Sequence, residues 1–311
     1  MSFLNDTKFQ FAVFLFTGIP GQEDGQFWIS ILFCFVYVIA IIGNSVILFI
    51  IKTDQSLHEP MYILLSMLAI TDLGLLLSTM PTILGVYLFK SREISLSACF
   101  AQVYLMHSFS LTESATLLLM AFDRFVAIRD PLRYTSILTP VRITKAALVV
   151  VVKSVSLMFP YPFLLKRFQY CRTNVLSHSY CLYQDVMKLA CGDITVNSIY
   201  GLSLKFITVF LDITLIFLSY VMILKTVLSV TSRTESLRAL NTCVSHLCAV
   251  LLFYIPEISL SMLHRFGNSS SHFPQIVLGY IYVLVPPLMN PIVYSVKSKH
   301  FRLRIIRVFY K

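Results

Sequence analysis

A handful of ionisable residues stand inside long apolar runs, and any chemistry this chain performs falls to them. Asp72, Glu113, Lys205 and Glu257 are among the charged ones, and His107 and Asn290 lie in similar company. A charge at the centre of a membrane helix costs roughly 2.5–3.5 kcal/mol on insertion scales, so each needs a partner, a cavity or a function. Arg265 closes another run and presents a planar fork of donors suited to a carboxylate. Glu257, two turns earlier, lies on roughly the same face; unpaired it repels an acid, and paired with Lys205 it is locally neutral. Asp123-Arg124 ends a further run as an acid–base pair, followed at once by Asp130-Pro131-Leu132-Arg133-Tyr134. No metal-ligand spacing, nucleophile elbow, phosphate loop or HExxH is present, and Cys243, His246 and Cys248 read as helix packing rather than a metal site. These residues point to recognition, not catalysis.

The elements that must position them are membrane helices. Of 311 residues 57% are hydrophobic and 13% charged, whereas a soluble domain carries about 25% charged residues. About 20 apolar residues cross a bilayer as helix. Seven segments reach that length: Phe27–Ile51, Met61–Leu88, Cys99–Ile128, Ile143–Leu165, Val196–Val230, Leu237–Leu263 and Phe273–Val296. The fifth exceeds the need, so it should tilt or project into water. Without internal repeats or low-complexity linkers, residues 1–26 read as an outer segment, 27–296 as one membrane domain and 297–311 as an inner tail. In that tail Phe301, Ile305, Val308 and Phe309 recur at helical spacing beside basic residues, the pattern of an amphipathic helix in the inner interface.

Sidedness follows from lysine and arginine. Lys52, Arg129, Arg133, Arg142, Lys145 and the basic tail put the larger share inside and the N-terminus outside. The net charge of +10 then reflects orientation and contact with anionic lipid rather than nucleic acid. Asn5-Asp6-Thr7 is a glycosylation sequon that agrees with an outer N-terminus. The first 26 residues show no cleavable signal pattern, so the first span serves as an uncleaved anchor. Of seven cysteines, Cys34, Cys243 and Cys248 lie in apolar runs and read as buried, inert thiols. Cys99, Cys171, Cys181 and Cys191 fall in or beside the outer loops, where disulfides form, and four cysteines allow three pairings.

Particular residues then suggest a family. Gly43-Asn44 lies in the first span, Pro60-Met61-Tyr62 opens the second, and Asp72 is within it. MAFDRFVAI ends the third and Ser219-Tyr220 lies low in the fifth. LRALNTCVSHL runs over Leu237–Leu247, and Pro287-Leu288-Met289-Asn290-Pro291-Ile292-Val293-Tyr294 ends the seventh. Together, and in this order, they closely resemble the odorant receptors, a branch of the rhodopsin-like G-protein-coupled receptors. Gly18-Ile19-Pro20-Gly21, Glu113-Ser114 and His264-Arg265-Phe266-Gly267 look more like the class I, or fish-like, branch. Phe122 and Phe125 replace usual tyrosines, and Arg129-Asp130 stands where the family usually has a cysteine. Trp28 is the only tryptophan, and Phe253-Tyr254-Ile255-Pro256 replaces the Cys-Trp-x-Pro of other rhodopsin-like receptors.

The resemblance implies an all-α, seven-helix membrane receptor with pairings Cys99–Cys181 and Cys171–Cys191, forming a lid over a ligand cavity. It implies pocket positions at His107, Gln184, Ser261 and Arg265, with Lys205 and Glu257 added here by their chemistry. It implies a switch of Asp123, Arg124, Tyr220, Asn290, Pro291 and Tyr294, with Pro256 and Pro291 allowing helices to swing. Asp72, Glu113 and Asn290 should meet at mid-membrane. Two carboxylates so close cannot both ionise cheaply, so one takes a proton or a cation such as sodium sits between them. The expected ligand is a small volatile, a carboxylic acid or other polar odorant, and the expected partners are a stimulatory olfactory-type G protein and membrane lipid. A small-solute transporter, or a metabolite-sensing receptor of the same fold outside the nose, are the alternative readings.

Overall fold

The computed structural model describes residues 11–19, 25–171, 173–229, 233–266 and 273–297. The sequon at Asn5 and the tail beyond Lys297 lie outside them. Within these residues the chain forms a bundle of long helices under a small, partly β-structured cap.

Helix α1 covers Gln26–Thr53, α2 Pro60–Tyr87 and α3 Leu96–Arg129. Their starts are legible. Pro60 sits in the first turn of α2, where its missing N–H costs nothing, and the Ser95 hydroxyl accepts from the Ala98 N–H at 3.3 Å to cap α3. After the short α4 (Tyr134–Ile137), Thr139 caps α5 (Pro140–Met158) in the same way. The fourth span is interrupted: Pro160, which lacks a donor, starts α6 (Pro160–Lys166) after Phe159. Beyond the loop helix α7 (Tyr183–Lys188) come α8 (Thr195–Ser229), α9 (Arg233–Phe266) and α10 (Phe273–Lys297). At 35 residues, α8 has the excess length its sequence announces.

Six of the described helices are long and apolar enough to cross a membrane, counting α5 and α6 together. The exception is α3, and its place in the bundle explains why. It packs against α2, α5, α6, α8 and α9, so protein rather than lipid surrounds it. Gln102, Ser108, Ser110, Thr112, Glu113, Ser114 and Thr116 are accordingly buried along it. The peripheral helices show the opposite pattern, with Phe27, Trp28 and Phe35 on α1 and Phe206, Phe210 and Phe217 on α8 exposed towards the surroundings.

The cap is woven from three separate stretches of chain. Strand β1 (Val13–Phe16) pairs antiparallel with β2 (Glu93–Ser95), Phe14 opposite Ile94. Strands β3 (Gln169–Tyr170) and β5 (Ala190–Cys191) pair with each other, while β4 (Val175–Leu176) adds to β1 in parallel. Disulfides join Cys99 to Cys181 and Cys171 to Cys191, with Cα separations of 5.5 and 5.8 Å. Of the three free thiols expected to be buried, only Cys243 is; Cys34 is half-buried and Cys248 exposed, because they stand on outward faces of their helices. Gln102 ties the loop down further: its side-chain oxygen accepts from the Cys181 N–H at 2.8 Å, and its Nε2 donates to the Ser78 carbonyl at 2.7 Å. Gly279 of α10 lets the loop press close, because a Cβ there would fall 2.7 Å from both the Tyr180 hydroxyl and His178 Cδ2.

Candidate functional site

Beneath the lid lies a cavity of about 250 Å³, bordered by α3, α6, α7, α8, α9 and α10. Its walls include His107, Tyr161, Tyr183, Gln184, Lys205, Glu257, His264, Arg265 and Tyr282. Pockets for drug-sized molecules span roughly 300–1,000 Å³, so this one suits a smaller guest. Lys205 of α8 reaches Glu257 of α9, Nζ to Oε1, at 3.5 Å. The second Glu257 oxygen, Oε2, is buried with no hydrogen-bond partner among the described residues, and so is Nε2 of His107. The His107 ring meets Tyr161 edge-on at 5.4 Å.

Five of the six expected pocket residues therefore border one cavity; Ser261 does not. The α9 wall is marked by Glu257, Leu260 and His264, one stripe at helical spacing. Ser261 and Arg265 lie to one side of that stripe. The long arginine still reaches the rim; the serine is too short.

At the cavity floor, Ser114 donates to the Asp212 carboxylate and shares a 2.7 Å hydrogen bond with the Tyr254 hydroxyl. Three helices, α3, α8 and α9, meet at this one hydroxyl. Asp212 belongs to no motif, so only its isolation in an apolar run could have flagged it. Deeper still, Asn290 Nδ2 donates to Asp72 at 3.1 Å and to Glu113 at 3.4 Å. These carboxylate oxygens are the donor type a hard cation such as sodium takes, and the Asn290 amide bridges them.

The residues at the other end form a second constellation. Arg124 Nη2 stands 3.5 Å from Asp123, and the Tyr134 hydroxyl donates to the same carboxylate at 2.7 Å. Tyr220 bonds His246 Nδ1 at 2.7 Å, tying α8 to α9. Tyr294 points at the Met120 sulfur, 3.9 Å away. Pro291 packs on Gly43, where a Cβ would come within 3.1 Å of its ring. Arg129 lies 3.7 Å from Asp130 and over the Phe125 ring at 5.5 Å, so the residues that depart from the family pattern contact one another.

Comparison with known proteins gives this geometry a context. The fold is similar to squid rhodopsin in its crystal structure, with a TM-score of 0.75 at 18% identity, covering 94% of this chain and 87% of that one. Human Olfactory receptor 51G2 is 59% identical over 96% of this chain and 95% of its own length. Human Olfactory receptor 51G1 is 55% identical over 99% and 96%, and human Olfactory receptor 51A4 is 53% identical over 98% and 97%. Residues 33–311 match the profile of the family described as "Olfactory receptor". A cavity under a disulfide-pinned lid, opposite an Asp–Arg pair, thus sits in a chain whose whole length follows these relatives: the protein belongs to the olfactory receptor family, within the rhodopsin-like G-protein-coupled receptors, and is a multi-pass chemosensory receptor rather than an enzyme.

Proposed function

We propose that this receptor, with its N-terminus outside the plasma membrane, binds a small acidic or otherwise polar volatile in the outer cavity. Binding would then drive a stimulatory olfactory-type G protein at the Arg124 end and raise cAMP. The observation that carries the ligand class is the charge of the wall: Lys188, Lys205 and Arg265 border the cavity against the single carboxylate of Glu257. Lys205 is matched by Glu257, and Lys188 stands 3.7 Å from Asp185. Arg265 has no ion-pair partner among the described residues and offers a bidentate fork to an incoming carboxylate. Gln184 and His107 border the same cavity as further polar groups.

A second reading rests on the unpartnered Oε2 of Glu257, which could anchor an amine instead. A cAMP assay over acids, amines, alcohols and esters separates the two. The acid reading expects Arg265→Ala to abolish acid responses while sparing neutral agonists. An amine response lost in Glu257→Gln and untouched by Arg265→Ala overturns it. Ligand accumulation in cells without a cAMP rise would favour a transporter.

A further inference from the structure

One cluster of buried polar groups takes no part in the switch and touches the cavity only at its edge. His178 precedes the lid disulfide, Asp185 lies on α7, and His264 ends α9. All three side chains are almost fully enclosed, with exposures of 0%, 3% and 1%. Each offers one ligating atom, and the three atoms lie within 4.8 Å of one another.

The hydrogen-bond arithmetic leaves a positive charge wanting between them. His178 Nε2 faces the Gln275 carbonyl at 3.1 Å. A carbonyl only accepts, so Nε2 carries hydrogen. The other nitrogen, Nδ1, is in contact with a carboxylate oxygen of Asp185, also an acceptor. Two acceptors in contact require a proton or a cation between them. The remaining Asp185 oxygen, Oδ1, has no hydrogen-bond partner among the described residues, nor has His264 Nε2. His264 Nδ1 stands 3.5 Å from that oxygen.

We propose that His178, Asp185 and His264 form a binding site for a divalent transition metal, with zinc the best chemical match, which clips the lid to the outer end of α9. Two imidazoles and a carboxylate are a donor set zinc takes, usually with a fourth position left for water. Bonds of ~2.0–2.1 Å at tetrahedral angles place ligand atoms about 3.3 Å apart, so the His178–Asp185 contact must open to admit the ion while the wider spacings in the trio close. The Gln275 carbonyl already supplies what a metal-bound histidine needs behind it, fixing the ring and its tautomer. On binding, the metal takes the place of the proton on His178 Nδ1, which is released to water.

Lys188 is the counter-charge that now fills the gap. Its Nζ lies 3.2 Å from His264 Nδ1 and 3.7 Å from Asp185 Oδ1. The side chain is 48% exposed, so it can swing into water and leave its place open. His264 and Lys188 both border the cavity, which gives an ion a way in. No short-range spacing betrays the site in the sequence, because its ligands are supplied by the lid and by a helix end far along the chain.

The test uses the purified full-length receptor in detergent and zinc alone, read by titration calorimetry and thermal unfolding, with magnesium as the hard-cation control. Wild type should bind zinc saturably and melt higher with zinc but not with magnesium. His264→Asn should weaken zinc binding by at least roughly tenfold, and Lys188→Met should tighten it by removing the competing ammonium. Lys188→Met alters a half-exposed side chain, so it remains informative if His264→Asn fails to fold. Absence of saturable binding in wild type, or a Lys188→Met affinity no tighter than wild type, overturns the proposal. So does a well-folded His264→Asn protein that binds zinc as wild type does.

Discussion

Lys205 and Glu257, on neighbouring helices α8 and α9, form a 3.5 Å ion pair at the wall of the outer cavity, and only one of the two Glu257 oxygens is engaged. Removing one partner of a buried pair costs roughly 3–5 kcal/mol, whereas replacing both can be nearly neutral. Lys205 remains 30% exposed, so the low end applies. Glu257→Gln and Lys205→Met should each lower thermal stability and surface delivery, and the double variant should recover much of the loss. Additive losses in a double-mutant cycle would show that the pair contributes nothing.

The acid–base pair at the opposite end gives a signalling prediction. Asp123 is held by Arg124 and by the Tyr134 hydroxyl together. Arg124→Ala should reach the surface in normal amounts and lose most agonist-driven cAMP. Tyr134→Phe removes one donor from the same carboxylate and should raise agonist-free cAMP. Normal agonist signalling by Arg124→Ala at normal surface density would rule out this role.

The lid disulfide is tested by non-additivity. Cys99 and Cys181 are 82 residues apart, and losing a native disulfide typically costs about 2–5 kcal/mol. Either serine substitution should reduce surface expression to a similar degree, with the double no worse, because one bond is lost in all three. A double variant clearly worse than both singles would mean that each cysteine acts separately.

Gly279 offers a packing prediction with its own control. A methyl there falls 2.7 Å from the Tyr180 hydroxyl, whereas at Gly85 the nearest atom is 3.6 Å away. Overpacking a tight site costs about 1–3 kcal/mol. Gly279→Ala should lower the melting temperature measurably and Gly85→Ala should not. Equal behaviour of the two would remove the tight lid contact from consideration.

The helices were legible because a bilayer demands long apolar runs, and the motif residues because they stand at fixed places along those runs. Asn290 meeting Asp72 and Glu113 follows the family arrangement. The break at Phe159 was announced by Pro160, although a single span reads straight across it. Val13–Phe16 is apolar but too short to span, and its neighbours in sequence give no hint of the strands that complete it. Asp212 was missed because no motif marks it, and the contacts of His178 and Asp185 with His264 form only where the lid meets the end of α9. Ser261 shows the converse limit: one helical turn from Arg265 is close in sequence terms, yet only the longer side chain reaches the cavity.

The polarity of α3 bears on how the receptor is made. A segment carrying Gln102, His107, Glu113 and a row of hydroxyl residues partitions poorly into lipid by itself. It gains most of its satisfaction from helices on either side, some of them synthesised afterwards. Its membrane integration should therefore depend on handover beside α2 and on later arrivals such as α8. Substitutions that remove the polar partners of this central helix should therefore impair insertion of the nascent receptor more than equal losses on the lipid-facing helices.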